Sequence, residues 1–129
     1  MSDVVVYAYA ACSTCKNALK WLEKNGISAR VFPIVESPPT EAELTKWMAA
    51  SGLPSRKWLN TSGQSYRAMT TELGKEAVAA MTDAEIRARL AADGKLIKRP
   101  VLVRELKGKT TVLVGFDEAK YDAAFTRRQ

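Results

Sequence analysis

Hydrophobic positions along this chain change period several times. Val4-Val5-Val6-Tyr7-Ala8-Tyr9 is a β-branched and aromatic run, apolar on both faces. That pattern suits a central strand covered on both sides, as in a parallel or mixed sheet. The run ends at Ala10-Ala11-Cys12. From Ser13 to Asn25 the period becomes helical, with Cys15, Leu19 and Leu22 on one face and Lys16, Lys20 and Glu23 on others. Gly26 closes this helix in the usual position just past its end. Ala29-Arg30-Val31-Phe32-Pro33-Ile34 then reads as a second strand. A right-handed crossover sets the two strands parallel in a β-α-β unit.

Ser37-Pro38-Pro39 breaks the pattern. Thr40 with Glu43 three residues on is a capping-box signature, and the helix it opens carries Leu44, Trp47, Met48 and Ser51 on one side. It stops near Gly52-Leu53-Pro54. Weaker helical turns are expected around Ser65–Met69 and Lys75–Met81. Thr82 with Glu85 forms a second capping box, Ile86 and Leu90 mark the buried side of its helix, and Gly94 ends it. Residues 40–92 are thus a helical block without strand signal. After Lys98-Arg99-Pro100 two β runs, Pro100–Arg104 and Thr111–Gly115, are joined through Lys107-Gly108 as a hairpin. Asp117 caps a last helix with Tyr121, Ala124 and Phe125 on one face. The order is β-α-β, helical block, β-β-α, which predicts an α/β fold with a mixed sheet, in a single domain over 1–129 with a helical insertion at about 40–92.

Composition narrows the chemistry. The 129 residues include two Cys and no His, so a Ser-His-Asp or Cys-His nucleophilic site is excluded. So is a mononuclear zinc site of four Cys/His ligands from one chain; no metal is expected. The net charge of +6 comes from 20 Lys+Arg and 14 Asp+Glu interspersed in both halves. The densest basic patches are Lys95-Lys98-Arg99 and Arg127-Arg128. Neither is a basic stripe with interleaved aromatics, so direct nucleic-acid binding is not expected. The N-terminal apolar run is too short for a membrane span and lacks a basic n-region. A cytoplasmic protein with reduced thiols is the expected setting.

Cys12-Ser13-Thr14-Cys15 falls where the first strand gives way to the first helix. A spacing of three on a helical turn brings the Cα atoms to about 5–6 Å, within disulfide range. Free N–H groups and the helix dipole stabilise a thiolate there, with Lys16 nearby, so Cys12 is expected to be a low-pKa exposed nucleophile. Cys15, one turn in, would resolve a mixed disulfide or sulfenic acid. Two alternatives stand beside this: two incidental buried cysteines, or a metal site completed by a second chain. Thioredoxin-like folds of this order place a cis-proline facing the cysteines, so a cis Arg99–Pro100 bond is expected. Arg99 would then orient an anionic substrate or the Cys12 thiolate, or else be a surface cation at a strand start.

With these motifs the sequence resembles the arsenate reductase and Spx-type proteins, which are related to glutaredoxins. The match spans nearly the whole chain. It rests on the Cys12 loop and its helix, Ser37-Pro38-Pro39-Thr40, Leu96-Ile97-Lys98-Arg99-Pro100-Val101, and Val114-Gly115-Phe116-Asp117. The resemblance implies a thioredoxin-like fold with a helical insertion. In glutaredoxin-linked arsenate reductases a cysteine attacks arsenate held by three arginines; Cys12 matches the cysteine and Arg99 one arginine. A second should fall in Leu59-Asn60-Thr61-Ser62-Gly63, which has none, and the third at Gly115. Each lost charge-assisted hydrogen bond weakens oxyanion binding by about 1.5–3 kcal/mol. Arg56 and Arg67 are the candidate substitutes.

The second cysteine and Gly115-Phe116 look more like Spx and related thiol reductases. The expectation is a monomeric thiol–disulfide oxidoreductase without bound cofactor. Cys12, Cys15 and Arg99 would be catalytic, with Ser13, Thr14, Lys16 and Pro100 in support. Glutathione, glutaredoxin or thioredoxin would supply electrons. The first alternative is an Spx-type regulator that binds the RNA polymerase α subunit on oxidation. The second is an arsenate reductase proper.

Overall fold

The computed structural model describes residues 3–126; the basic pair Arg127-Arg128 lies outside them. Four strands and six α-helices follow in chain order. They are β1 (Val4–Ala8), α1 (Ser13–Lys24), β2 (Arg30–Pro33), α2 (Glu41–Ser51), α3 (Gln64–Leu73), α4 (Lys75–Ala79), α5 (Asp83–Ala92), β3 (Val101–Leu106), β4 (Lys109–Val114) and α6 (Glu118–Thr126). Short 3-10 turns occupy Ser55–Trp58 and Gly94–Leu96. The chain forms two compact units: one runs up to Pro33 and resumes at Arg99, and the other is Ile34–Lys98. The α-helices of the second unit run from Glu41 to Ala92.

The first unit holds the sheet, in order β2-β1-β3-β4. β1 pairs parallel with β2, and antiparallel with β3, which pairs antiparallel with β4. This is the mixed sheet of a thioredoxin-like fold. Val4, Val6, Ala8 and Leu102 on one sheet face pack with Cys15, Ala18, Trp21 and Leu22 of α1 and Tyr121 and Phe125 of α6. The buried stripe of α1 thus runs through Ala18 and Trp21, with Leu19 only half-buried. Trp21 meets the Tyr121 ring edge-on at 5.5 Å, a geometry aromatic pairs favour. Lys107 and Gly108, at φ of 53° and 79°, make the tight hairpin turn, which demands positive φ at both central residues. Asp117 Oδ1 accepts from the N–H groups of Ala119 and Lys120 and opens α6 as expected. Arg104 of β3 donates to Ala124 O and lies over the Phe125 ring, tying the sheet to α6.

In the helical unit both capping boxes form, Thr40 with Glu43 and Thr82 with Glu85. α5 packs against α2 and both 3-10 turns, with Leu44, Trp58, Ile86, Leu90 and Ile97 fully buried. α3 is twice the length of the turn expected there. It buries only Met69, so its apolar face is too thin to register as a helical pattern. Gly94 differs from expectation too. It does not close α5 in the left-handed region; Asp93 caps the C-terminus, and Gly94 is buried in the following turn. A Cβ there would overlap the Ile34 carbonyl, so glycine is required for a close backbone approach. The block also contains β pairing, since Leu59 and Ile97 form an antiparallel bridge. Hydrogen bonds from Asn60 N–H to Leu96 O (2.8 Å) and from Lys98 N–H to Trp58 O (2.7 Å) extend it. Among the described residues no helix is long and apolar enough to cross a membrane.

Candidate active site

β1 ends at Ala8, one residue short of the predicted run, and the chain turns before entering α1. The turn is closed by the Cys12 N–H donating to Tyr9 O at 3.0 Å. Cys12 is then the N-cap of α1, in extended conformation, and its sulfur accepts from the Cys15 N–H at 3.4 Å. A thiolate in this position takes the place a Ser or Asp oxygen usually holds, at the positive end of the helix dipole. Cys15 lies one turn in, 1 % exposed, with its sulfur accepting from the Tyr9 N–H at 3.5 Å. Both cysteines are free thiols.

Arg99 and Pro100 come to the same place from the start of β3. The Arg99–Pro100 bond is cis, as expected. The Arg99 side chain hydrogen-bonds the Cys12 sulfur, and its guanidinium carbon stands 4.6 Å from the centroid of the Tyr9 ring.

These contacts separate the two thiols. Partial burial raises the Cys12 pKa, but hydrogen bonds from the Cys15 N–H and side chain, from Arg99 and from the Thr14 N–H outweigh it, leaving the thiol below its ordinary value. Burial pushes Cys15 up to about 11. The Tyr9 N–H opposes that rise, whereas the hydrogen bond Cys15 gives to Cys12, and the charge on Cys12, add to it. Ser13, Thr14 and Lys16 are exposed on the first turn of α1. Lys16 is not among the groups that lower the Cys12 pKa; backbone N–H groups, the Cys15 side chain and Arg99 are.

Tyr9 continues the apolar run of β1 in sequence, but in the fold it lies past the strand and contacts both cysteines and Arg99. Its signal was available: an aromatic three residues before Cys12, just past a β-branched run.

The ArsC family model matches residues 7–124. The chain belongs to the ArsC family. YusI of Bacillus subtilis (strain 168), an uncharacterized protein, is 40 % identical over 120 residues, 93 % of this chain and 96 % of YusI. An arsenate reductase of Escherichia coli (strain K12) is 31 % identical over 106 residues, 82 % of this chain and 72 % of that protein. Among solved structures, an ArsC family related protein from Bacteroides fragilis superposes with a TM-score of 0.84 at 40 % identity, covering 94 % of this chain and 96 % of that one. This ArsC protein is an arsenate reductase-like thiol redox protein.

Arg56 and Arg67, the expected substitutes for the arginines the resemblance implies, differ in their surroundings. Arg56 is committed: its guanidinium donates to Val78 O, Ala79 O and Met81 O at 3.0, 2.7 and 2.9 Å, closing the C-terminus of α4. Arg67 donates to Ser62 O at 3.1 Å from an exposed position. Gly115 has φ of 80°, with its N–H on Pro100 O. An arginine at that backbone geometry would be strained.

Proposed function

We propose that this ArsC protein is a thiol–disulfide oxidoreductase in which Cys12 is the nucleophile and Cys15 resolves. The observation that carries the reading is the N-cap position of Cys12, with its sulfur held by the Cys15 N–H and Arg99. The Cys12 thiolate attacks one sulfur of an oxidised substrate, forming a mixed disulfide and expelling the other sulfur as a thiolate. Cys15 then attacks Cys12, closing the Cys12–Cys15 disulfide and releasing the second substrate thiol, while the Cys15 proton passes to an expelled thiolate. Two electrons reach the substrate, and two more from glutathione, glutaredoxin or thioredoxin regenerate the dithiol.

The order of steps has a physical basis. While Cys12 is a thiolate, its charge and the hydrogen bond it accepts from Cys15 help keep Cys15 protonated. Once Cys12 is bonded to substrate both effects vanish, and Arg99 is left to favour the Cys15 thiolate. The resolving thiol is therefore activated by the first step.

The test is NADPH-coupled turnover with a disulfide or with arsenate, using glutathione and glutaredoxin, or thioredoxin, as donor. Cys12→Ser abolishes turnover, and Cys15→Ser traps a mixed disulfide at Cys12. Unchanged turnover in Cys12→Ser overturns the reading. Turnover with arsenate, in spite of the replaced arginines, identifies an arsenate reductase. The same C-x-x-C dithiol also fits an Spx-type regulator; capture of RNA polymerase α subunit by oxidised and not reduced protein, without turnover, would put that reading first.

A further inference from the structure

Arginine carries about 2 kcal/mol of rotamer entropy, so a guanidinium that serves a thiolate needs a second restraint to hold it there. Arg99 is only half-buried. Its guanidinium is placed over the Tyr9 ring at 4.6 Å, and a cation over an aromatic face is attracted by the ring quadrupole. The same guanidinium hydrogen-bonds the Cys12 sulfur. The backbone of Tyr9 holds the cysteines as well: its carbonyl accepts the Cys12 N–H and its N–H donates to Cys15 Sγ. One residue thus touches Cys12, Cys15 and Arg99, with its ring engaged by Arg99.

We propose that Tyr9 is a positioning residue whose ring face holds the Arg99 guanidinium against the Cys12 sulfur. This rests on Cys12 being the nucleophile, but its test reads the thiol and not turnover, so the two can fail separately.

The experiment follows alkylation of Cys12 by iodoacetamide across pH, with peptide mass mapping to keep Cys15 apart. Replacing Tyr9 by Leu removes the ring and keeps both backbone contacts. Its expected effect is a rise of about 0.5 unit in the apparent Cys12 pKa, which lowers the alkylation rate about threefold at pH values well below that pKa. The limiting rate at high pH stays unchanged. Tyr9→Phe retains the wild-type profile. Arg99→Ala raises the pKa, and Tyr9→Leu added to it raises it no further. A wild-type profile in Tyr9→Leu, slowing by an equal factor at every pH, or full additivity with Arg99→Ala overturns the proposal. Should Tyr9→Leu fail to fold, the wild-type protein still supplies a reading. The Arg99 side-chain protons are expected upfield of their usual NMR positions from the ring current of Tyr9, and their absence from that region overturns the proposal equally.

Discussion

The Cys15 N–H reaches the Cys12 sulfur at 3.4 Å and helps lower that thiol, while burial raises Cys15 itself. Cys12, at the mouth of α1, is lowered by the donors around it, while Cys15, 1 % exposed behind it, is raised to about 11. A spacing of three residues is enough to move from the polar end of a helix to its buried face. In a chain without histidine, the proposed reaction relies on this difference between two thiols in place of an acid–base partner.

The raised Cys15 pKa makes folding stability depend on alkaline pH. A thiol whose folded pKa lies above its unfolded value favours the folded state fully below the unfolded pKa, near 9. That stability is lost as pH rises through about 11. The loss attributable to Cys15 is about 2 kcal/mol between pH 8 and pH 11, and it is expected as the difference between wild-type and Cys15→Ser in urea unfolding at those two pH values. The lowered Cys12 pKa acts with the opposite sign, its contribution being lost as pH falls through its folded value. A Cys15→Ser curve parallel to wild-type over this range would show that Cys15 titrates as an ordinary thiol.

Two glycines are expected to respond differently to alanine. At Gly94 a methyl group meets the Ile34 carbonyl, so backbone must shift, and Gly94→Ala is expected to cost about 2–3 kcal/mol or more. At Gly26 nothing lies within 4 Å, and the cost of Gly26→Ala arises from φ of +71° alone, about 1–2 kcal/mol. Equilibrium denaturation ranks the pair, and a Gly94→Ala protein as stable as Gly26→Ala would contradict the packing described.

Arg56 has a structural role that is testable apart from catalysis. Its three hydrogen bonds satisfy carbonyls at the end of α4, and α4 is a helix of five residues, too short to stand alone. Arg56→Ala is expected to destabilise the protein by about 2 kcal/mol, and Arg56→Lys, which cannot span three carbonyls with a planar fork, to recover little. A chemical denaturation midpoint unchanged in Arg56→Ala would contradict this.

The elements were legible where side chains carry the signal locally. The apolar run of β1, both capping boxes, the Lys107-Gly108 turn and the Asp117 cap each declare themselves within four residues, because hydrogen-bonding and φ preferences act at that range. α3 was under-read, since a helix that buries one residue leaves little pattern. Gly94 was read as a helix stop because close approach to Ile34, sixty residues earlier, has no local mark. The bridge between Leu59 and Ile97 escaped for the same reason.

For the site, the sequence by itself determined the chemistry: two cysteines at a strand-to-helix junction, no imidazole, and an Arg-Pro pair before a strand. Helix geometry follows from spacing, so the opposite fates of Cys12 and Cys15 were implicit in it. Only the tertiary structure decided which groups serve the thiolate. Lys16, adjacent in sequence to Cys15, is exposed and is not among the groups that lower the Cys12 pKa, while Arg99 arrives from just before β3 and settles over Tyr9. Arg56, a candidate for anion binding by type, is occupied by backbone carbonyls. A cation's role depends on what stands within a few ångströms of it, and in a folded chain those neighbours come from segments the sequence does not place together.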